Sequence, residues 1–254
     1  MSPTIKRFTM ACLSLALLTV EVRAGVITFV GEDLQPTANP TIRTNSDAAA
    51  AAFNLAASGL GSVSTITFEA APLGNINNLA VATGVSINGL DVNGNPQTIR
   101  NTSNFPSYPS VDGSNTTSGG SRFVEMQGGT LVFTFTQPTQ FFGAYLTGVQ
   151  TNFFADSVSF NDGTSQSITL AGAGTSSNVG ETAFVGFTDA GKSITSVTIT
   201  ASVPGSGFDD IGVDDVEYQV SSVPEPSSLV MCGVAGLTIG CYTGARRRRK
   251  MVAR

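Results

Sequence analysis

The sequence predicts an all-β domain, a β-sandwich that carries one short helix near its N-terminal side. Between residues 25 and 220 the chain consists mainly of short segments rich in Val, Ile, Phe and Thr, separated by Gly, Asn, Asp or Pro. In segments 131–136 and 196–200 every second residue is apolar and most of the others are Thr or Ser, as in a strand with one buried face. No repeat of fixed period is present, which argues against solenoids and propellers.

The predicted helix covers residues 48–57. Five consecutive alanines favour it, Ser46 or Asp47 is expected to cap its N-terminus, and Gly59 is expected to end it. Ten strands are predicted around the helix, each of them short and bounded by turn residues. They cover residues 26–30, 62–68, 122–126, 130–136, 141–147, 157–160, 165–170, 182–188, 193–201 and 211–220.

Two connections between strands differ in character. Residues 161–164, with the sequence Asn-Asp-Gly-Thr, indicate a hairpin because Gly accepts the positive φ that a tight turn requires. Residues 101–121 are dominated by Ser, Thr, Asn, Gly and Pro and predict a long exposed loop. Such loops are often functional, and a tolerated insertion explains this one equally well.

Residues 1–24 predict a secretory signal peptide. Lys6 and Arg7 precede a short apolar run, and cleavage is expected after Ala24. The run is too short to be a stable membrane span. The alternative is an N-terminal membrane anchor, because Glu21 and Arg23 make the cleavage region polar.

Residues 221–254 combine three features: a Pro-Glu-Pro motif, an uncharged apolar run over 227–245 and a basic tail over 246–254. The motif consists of Val223, Pro224, Glu225 and Pro226, and the tail opens with Arg246, Arg247, Arg248, Arg249 and Lys250. As a helix the apolar run would span about 28 Å, close to the thickness of a bilayer core, and it predicts a transmembrane helix. The cations are expected to hold the tail in the cytoplasm, leaving residues 25–220 on the export side.

This order of motif, apolar helix and arginine cluster resembles the PEP-CTERM sorting signal of Gram-negative bacteria, also labelled the ice-binding protein C-terminal domain. The resemblance implies that an exosortase-like peptidase cuts near Pro224, Glu225 and Pro226. It also implies sorting to the cell surface or the extracellular matrix, often in organisms that make exopolysaccharide. The alternative is an ordinary single-span anchor with a proline-rich stalk.

The rest of the chain resembles the bodies of other exported PEP-CTERM proteins. The resemblance rests on an alanine-rich helix that runs into Ile66-Thr67-Phe68-Glu69, on segment 141–145 and on the closing segment 208–216. It implies a jelly-roll sandwich akin to carbohydrate-binding modules. It carries no binding residue over to this chain.

Composition and charge exclude several kinds of chemistry. The chain contains no His, so Ser-His and Cys-His relays and imidazole metal sites are excluded. Its cysteines, Cys12, Cys232 and Cys241, all lie outside residues 25–220, so the domain has no disulfide and no thiol site. Sixteen acidic and four basic residues in 25–220 give a formal charge of −12, which disfavours nucleic acid and anionic lipid as partners.

An acidic cluster near the end of the domain predicts a calcium site. Its four carboxylates repel one another unless they are solvated, spread over both faces of a strand, or neutralised by a hard cation. In a regular strand Asp209 shares a face with Asp215, and Asp210 with Asp214. Backbone carbonyls and Glu69 are therefore expected to complete the site. The alternative is a set of solvated charges that protects a terminal strand from pairing.

These features predict an exported, surface-sorted, non-enzymatic protein of the envelope or extracellular matrix, with extracellular polysaccharide as a candidate partner. Two alternatives stay open: a calcium-dependent carbohydrate-binding module and a glycoside hydrolase. A hydrolase needs two carboxylates across a cleft, and the candidates are Glu69, Glu125, Asp156 and Glu181. The chain has no Trp and so lacks the usual platform on which sugars stack.

Overall fold

A computed structural model describes residues 25–34, 43–101, 113–149, 157–161, 165–169, 181–201 and 210–220. Within them the chain forms two antiparallel sheets and one helix, which confirms the predicted β-sandwich. No helix in these ranges is long and apolar enough to cross a bilayer. The predicted signal peptide, Pro-Glu-Pro motif, transmembrane run and basic tail lie outside the described residues.

The larger sheet, sheet A, has eight strands. Seven form a continuous path in the order β1 (Ile27–Leu34), β12 (Glu181–Thr188), β9 (Phe141–Val149), β14 (Asp210–Val220), β7 (Arg122–Gln127), β6 (Thr98–Asn101) and β3 (Gly74–Asn75). The eighth, β2 (Ser62–Ile66), pairs with the second half of β14. Strand β14 is therefore central, because β9, β7 and β2 all hydrogen bond to it.

The smaller sheet, sheet B, has six strands. Their order is β11 (Ser165–Thr169), β10 (Ser157–Asn161), β13 (Ile194–Ala201), β8 (Gly129–Thr139), β5 (Val85–Leu90) and β4 (Leu79–Ala82). The main core lies between the two sheets and is built by alternate residues. Leu131 and Phe133 of β8 and Val197 and Ile199 of β13 are fully buried there, as the alternation predicted.

All ten predicted strands are present, with somewhat different ends. Strands β3, β4, β5 and β6 were not predicted, because all four are short and three of them contain Gly or Asn. Strands β10 and β11 pair with Asn161 opposite Ser165, as the predicted hairpin requires. The prediction of an exposed loop over 101–121 is wrong for residues 113–117, which pack against sheet A and bury Ser114 and Thr116, whereas Ser118 and Gly119 are exposed as predicted.

The helix α1 (Thr44–Ser58) covers the outer face of sheet A. Its Phe53 is fully buried over two glycines, Gly143 of β9 and Gly186 of β12. A Cβ atom at either glycine would lie only 2.7 Å from an aromatic carbon, so the absence of a side chain allows the helix to pack closely. Phe53 also meets the rings of Phe29, Phe141 and Phe184 at centroid distances of 5.5–5.8 Å.

The predicted cap of the helix is wrong. The helix begins at Thr44, before Ser46 and Asp47, and neither of these residues caps it. Its first free N–H groups are bound by Asp33 of β1 instead: Oδ1 accepts from Asn45 N at 2.9 Å and Oδ2 from Ser46 N at 2.8 Å. The cap thus comes from a neighbouring strand. Gly59 follows the helix as predicted, in right-handed conformation.

Candidate functional site

The segment 113–121, called here the covering segment, lies beside helix α1 on the outer face of sheet A. It enters over Gly212 of β14, where Gly113 has a φ of +85° and a Cβ would collide with the Gly212 backbone. Ser114 N donates to Thr147 Oγ1 at 2.7 Å, and that hydroxyl donates to the Ser114 carbonyl at 2.9 Å. Close glycine contact and paired hydrogen bonds therefore fix the start of the segment on strands β9 and β14.

Two adjacent carboxylates of β14 hold the centre of the covering segment. Asp214 Oδ2 accepts from Thr116 N at 2.7 Å, from Asn115 Nδ2 at 3.0 Å and from Thr117 N at 3.1 Å. Asp215 accepts from the hydroxyls of Thr116 and Thr117, at 2.8 and 2.6 Å. The three residues 115–117 thus present backbone, amide and hydroxyl donors to a single carboxylate pair.

A β-bulge explains how consecutive residues reach the same segment. In a regular strand Asp214 and Asp215 would face opposite sides, which was the expectation from sequence. The register between β14 and β9 shifts between Asp214 and Glu217, and Asp215 has a φ of +44°. A bulge rotates the chain locally and redirects side chains. The expected division of the aspartates between two faces is therefore wrong for this pair.

The electrostatics of Asp214 are unusual for a carboxylate. Its side chain is 0% exposed, and burial, followed by repulsion from Asp215, raises its pKa to about 7 despite the hydrogen bonds from Thr116 and Thr117. Its second oxygen, Oδ1, is buried and has no hydrogen-bond partner among the described residues. An unpaired buried carboxylate oxygen is destabilising, so this atom needs a physical explanation.

Glu217 lies three residues beyond Asp214 on β14 and shows a related pattern. Its Oε1 accepts from Asn54 Nδ2 of helix α1 at 3.0 Å, whereas its buried Oε2 has no partner within the described ranges. Burial raises the pKa of Glu217; the Asn54 bond opposes this rise, and Asp215 adds to it. Two buried carboxylate oxygens near the bulge are therefore left without a donor from the described part of the chain.

Glu69 anchors the other end of the covering segment. Its Oε1 accepts from Ser121 N at 2.7 Å, from Arg122 N at 2.8 Å and from Asn115 Nδ2 at 3.0 Å. Because the Asn115 amide also donates to Asp214, this one side chain joins the two carboxylates.

The structure brings together some of the predicted calcium ligands and separates others. Asp214 and Asp215 act on the same residues, and Glu69 is joined to Asp214 through Asn115. Asp210 lies at the start of β14 opposite Gln127, about 13 Å of strand from Asp214. Asp209 lies outside the described residues. Among the residues that are described, no three acidic side chains form a group that could hold a metal ion. Any cation here would therefore rely on the Asp214–Asp215 pair.

One base borders this site. Arg43 Nη1 donates to the Thr116 carbonyl at 3.2 Å, and the guanidinium carbon lies 4.8 Å above the Tyr145 ring. The Tyr145 hydroxyl donates to Asp47 Oδ1 at 2.7 Å, and burial followed by this bond raises the pKa of Tyr145. These contacts connect helix α1, strand β9 and the covering segment. Sequence reasoning missed Arg43 and Tyr145, because nothing local links residues about 100 positions apart.

Of the four carboxylates considered for a hydrolase, the two with described side chains, Glu69 and Glu125, are both engaged in other contacts. Glu69 is occupied by the covering segment, and Glu125, only 2% exposed, forms an ion pair with Arg100 at 2.6 Å and accepts from Thr98. Asp156 and the side chain of Glu181 lie outside the described residues. A cavity of about 350 Å³ at the β3–β6 edge is lined by Leu73, Gly74, Asn75, Thr98, Ile99, Arg100 and Asn101. It contains none of the four carboxylates.

Comparison with known proteins gives no family. No known protein family matches the chain, and no curated protein does. Among solved structures, the chain is similar to a family 29 carbohydrate-binding module from Piromyces equi, with 12% identity, a TM-score of 0.31, and coverage of 65% of this chain and 93% of that one. It is also similar to the catalytic domain of a GH87 α-1,3-glucanase, with 15% identity, a TM-score of 0.30, and coverage of 61% of this chain and 30% of that one. Likeness at this level carries no conclusion about ligand or activity.

Proposed function

We propose that the protein is an exported, non-enzymatic β-sandwich protein of the envelope or extracellular matrix, whose fold is completed by a bound calcium ion at Asp214 and Asp215. We also propose that the sandwich is related to the jelly-roll modules. The signal-peptide pattern and the Pro-Glu-Pro, apolar and basic segments support export and sorting by an exosortase-like peptidase. The observation that supports the cation is the unpaired Oδ1 of Asp214.

The environment of Asp214 favours a bound cation over compensation of its charge by protein groups alone. A fully buried carboxylate beside a second carboxylate is destabilised in its charged form, and the nearby donors all bind its other oxygen. A cation at Oδ1 would compensate the burial of that atom and the repulsion from Asp215 at the same time. The same ion would stabilise the attachment of the covering segment, which these carboxylates hold.

The donor chemistry of the domain selects calcium among common ions. Residues 25–220 contain neither His nor Cys, so only oxygen ligands are available. Calcium accepts six to eight oxygens, including carboxylates, backbone carbonyls and water, in flexible geometry. Transition metals prefer nitrogen and sulfur ligands. Two carboxylates with neutral oxygens and water therefore suit calcium better than a transition metal.

The test is calorimetric unfolding of the full-length chain in detergent, with calcium, with magnesium and with chelator. An ion that binds only the folded state raises its stability, by about 2.7 kcal/mol when the free ion is about 100 times its Kd. We expect calcium to raise the unfolding temperature and magnesium to have a smaller effect. The replacements Asp214→Asn and Asp215→Asn should remove the calcium effect while keeping side-chain shape.

Asp91→Asn is the matched control. Asp91 is also an aspartate of the same domain, but its Oδ1 accepts from Asn93 N and Asn95 N within an Asn-Gly turn. This variant should keep the full calcium effect. Identical unfolding of the unmodified chain in calcium and in chelator would refute the cation site.

Sorting is tested separately in the native host. If a peptidase cuts near the Pro-Glu-Pro motif, replacing Pro224→Ala together with Pro226→Ala should retain the protein in the membrane and increase the mass of the mature form. Unchanged mass and location would mean that residues 221–254 act as a simple anchor.

A further inference from the structure

The strands of sheet B contain no charged residue. The described strands contain ten charged residues, and all ten belong to sheet A. They lie in β1, β6, β7, β12 and β14. The six strands of sheet B consist only of apolar residues, Gly, Pro, Ser, Thr, Asn and Gln. In a domain of formal charge −12, this division leaves the strands on one side of the sandwich without charge.

The outer face of sheet B is a regular array dominated by hydroxyl groups, called here the hydroxyl face. The register aligns three rows across strands β5, β8 and β13. The rows are Ser86–Thr134–Ser196, Asn88–Val132–Thr198 and Leu90–Thr130–Thr200. The residues between them, such as Ile87, Phe133 and Ile199, are buried, so the rows point away from the core.

No described element of the chain covers the hydroxyl face. In the rows, Thr134 and Asn88 are exposed and the other Thr and Ser residues are half-buried. Thr136, which follows the rows on β8, is also exposed. Helix α1 packs on β1, β2, β9 and β12, all of which belong to sheet A. The covering segment likewise lies on sheet A.

We propose that the hydroxyl face binds a neutral polysaccharide. The charges of the domain select this partner. The acidic body repels polyanions, including acidic polysaccharides, and a cationic partner would find carboxylates on sheet A but none on the strands of this face. An uncharged partner is the class that meets no electrostatic penalty here.

The composition of the face argues against a protein partner. Protein interfaces are enriched in aromatic residues, Met and Arg, and the three rows contain none of these. A second copy of this chain would also bring two bodies of charge −12 together. Hydroxyl groups both donate and accept hydrogen bonds, which matches the hydroxyl groups of a sugar chain.

The array is also rigid. Threonine is branched at Cβ and restricted at χ1, so little side-chain entropy is lost when its hydroxyl is fixed by a ligand. Neighbouring hydroxyls are spaced by roughly 4.8 Å between strands and 6.8 Å along a strand. A flat polymer can therefore form many weak contacts at once, and this suits a long chain or a packed polysaccharide better than a single sugar.

This inference rests on the proposed function in one respect only: a protein of the envelope or matrix is where it can encounter an extracellular polysaccharide. The hydroxyl face and the Asp214–Asp215 site lie on opposite outer faces of the sandwich, so the binding does not use calcium as a bridge. Binding should therefore persist in chelator below the unfolding temperature, in contrast to a calcium-dependent carbohydrate-binding module.

The experiment measures retention of the full-length chain, in detergent and chelator, on microcrystalline cellulose and cross-linked dextran, with alginate beads as the acidic polymer. We expect retention on at least one neutral polymer and none on alginate. The triple variant Thr134→Val, Thr198→Val and Thr200→Val keeps side-chain shape and removes three hydroxyls, and it should weaken retention at least tenfold.

Thr65→Val is the matched control, because Thr65 is an exposed threonine in β2 of sheet A. The polymers should retain this variant as strongly as the unmodified chain. Calorimetry checks that all variants are folded. Failure to bind either neutral polymer, retention that the triple variant leaves unchanged, or binding to alginate alone would overturn the proposal. So would self-association in analytical ultracentrifugation that the triple variant abolishes, since a second copy would then occupy the face. A missing calcium effect on unfolding would refute the cation site and leave this result intact.

Discussion

The two sheets contribute similar apolar residues to the shared core but differ on their outer faces. The outer face of sheet A is covered by helix α1 and by the covering segment, and the strands beneath have glycines at close contacts: Gly31, Gly143, Gly186 and Gly212. The outer face of sheet B has no such cover in the described residues and carries Ser and Thr instead. The outward residues of a strand therefore depend on what covers them. On sheet A glycines lie at close contacts and the buried Thr147 hydrogen bonds to the cover, whereas on sheet B the outward Ser and Thr side chains have no described cover.

Charge follows the same division. Sheet A buries Asp33, Glu125 and Asp214, each of which binds donors from another element: the start of helix α1, Arg100 and the covering segment. A buried carboxylate is stable only when such donors are supplied. Asp33 and Asp214 thus serve as attachment points for the covering elements, whereas Glu125 joins β7 to the neighbouring strand β6. Sheet B has no described cover to attach, and its strands contain no charge.

The largest change in stability is expected from replacing the side chain by which helix α1 packs on sheet A. Phe53→Ala deletes a fully buried ring that contacts three other rings, and it should destabilise the chain by about 3–5 kcal/mol. Leu55→Ala is the control on the same helix, because Leu55 is 79% exposed and its loss should cost little. Denaturant unfolding measures both. Equal effects of the two variants would mean that the helix does not cover sheet A through Phe53.

A smaller effect is expected from the carboxylate that attaches the helix. Asp33→Asn weakens the bonds to Asn45 and Ser46 and should cost about 1–2 kcal/mol, the usual value of a helix cap. Burial by itself would raise the pKa of Asp33, but the bonds from Ser46 and Asn45 outweigh it and lower the pKa below its usual 3.8.

The sign of the pH dependence follows from that lowered pKa. The folded state binds the Asp33 proton more weakly than the unfolded state does, so this contribution is fully present above about pH 3.8 and is lost as the pH falls below it. The stability difference between the unmodified chain and Asp33→Asn should therefore be constant near neutral pH and shrink in acid. Urea unfolding over a pH series measures it. A difference that grows in acid would contradict the cap.

The sequence predicted those parts of the fold that depend on local pattern. Alternation in β8 and β13 identified the buried residues correctly, because a strand with one face in the core needs every second side chain to be apolar. The helix was identified from its alanines, but its start was not, because the capping group is Asp33 on another element. Strands β3 and β6 were missed because they are very short, and β4 and β5 because the hairpin that they form has few β-branched or aromatic residues.

The candidate site was predictable only in its composition. The sequence identified Asp214, Asp215 and Glu69 as carboxylates of interest, but the bulge at Asp215 has no local signal and changes which side chains meet. The role of Thr116 and Thr117 as donors depends on a contact across nearly 100 residues. The neutral composition of sheet B was visible in each segment, yet it became a surface only when the register aligned the strands.

The smallest effect is expected on the hydroxyl face. Thr198→Val keeps shape, retains β-branching and removes one half-buried hydroxyl, so the free energy of unfolding should change by no more than about 0.5 kcal/mol. Urea unfolding measures this, with Thr65→Val on sheet A as the control. A loss of 2 kcal/mol or more, on the order of a broken buried network, would mean that some part of the chain hydrogen bonds to Thr198 in the folded protein. The face would then be covered as sheet A is, and the difference between the two sheets would disappear together with the surface offered to a polysaccharide.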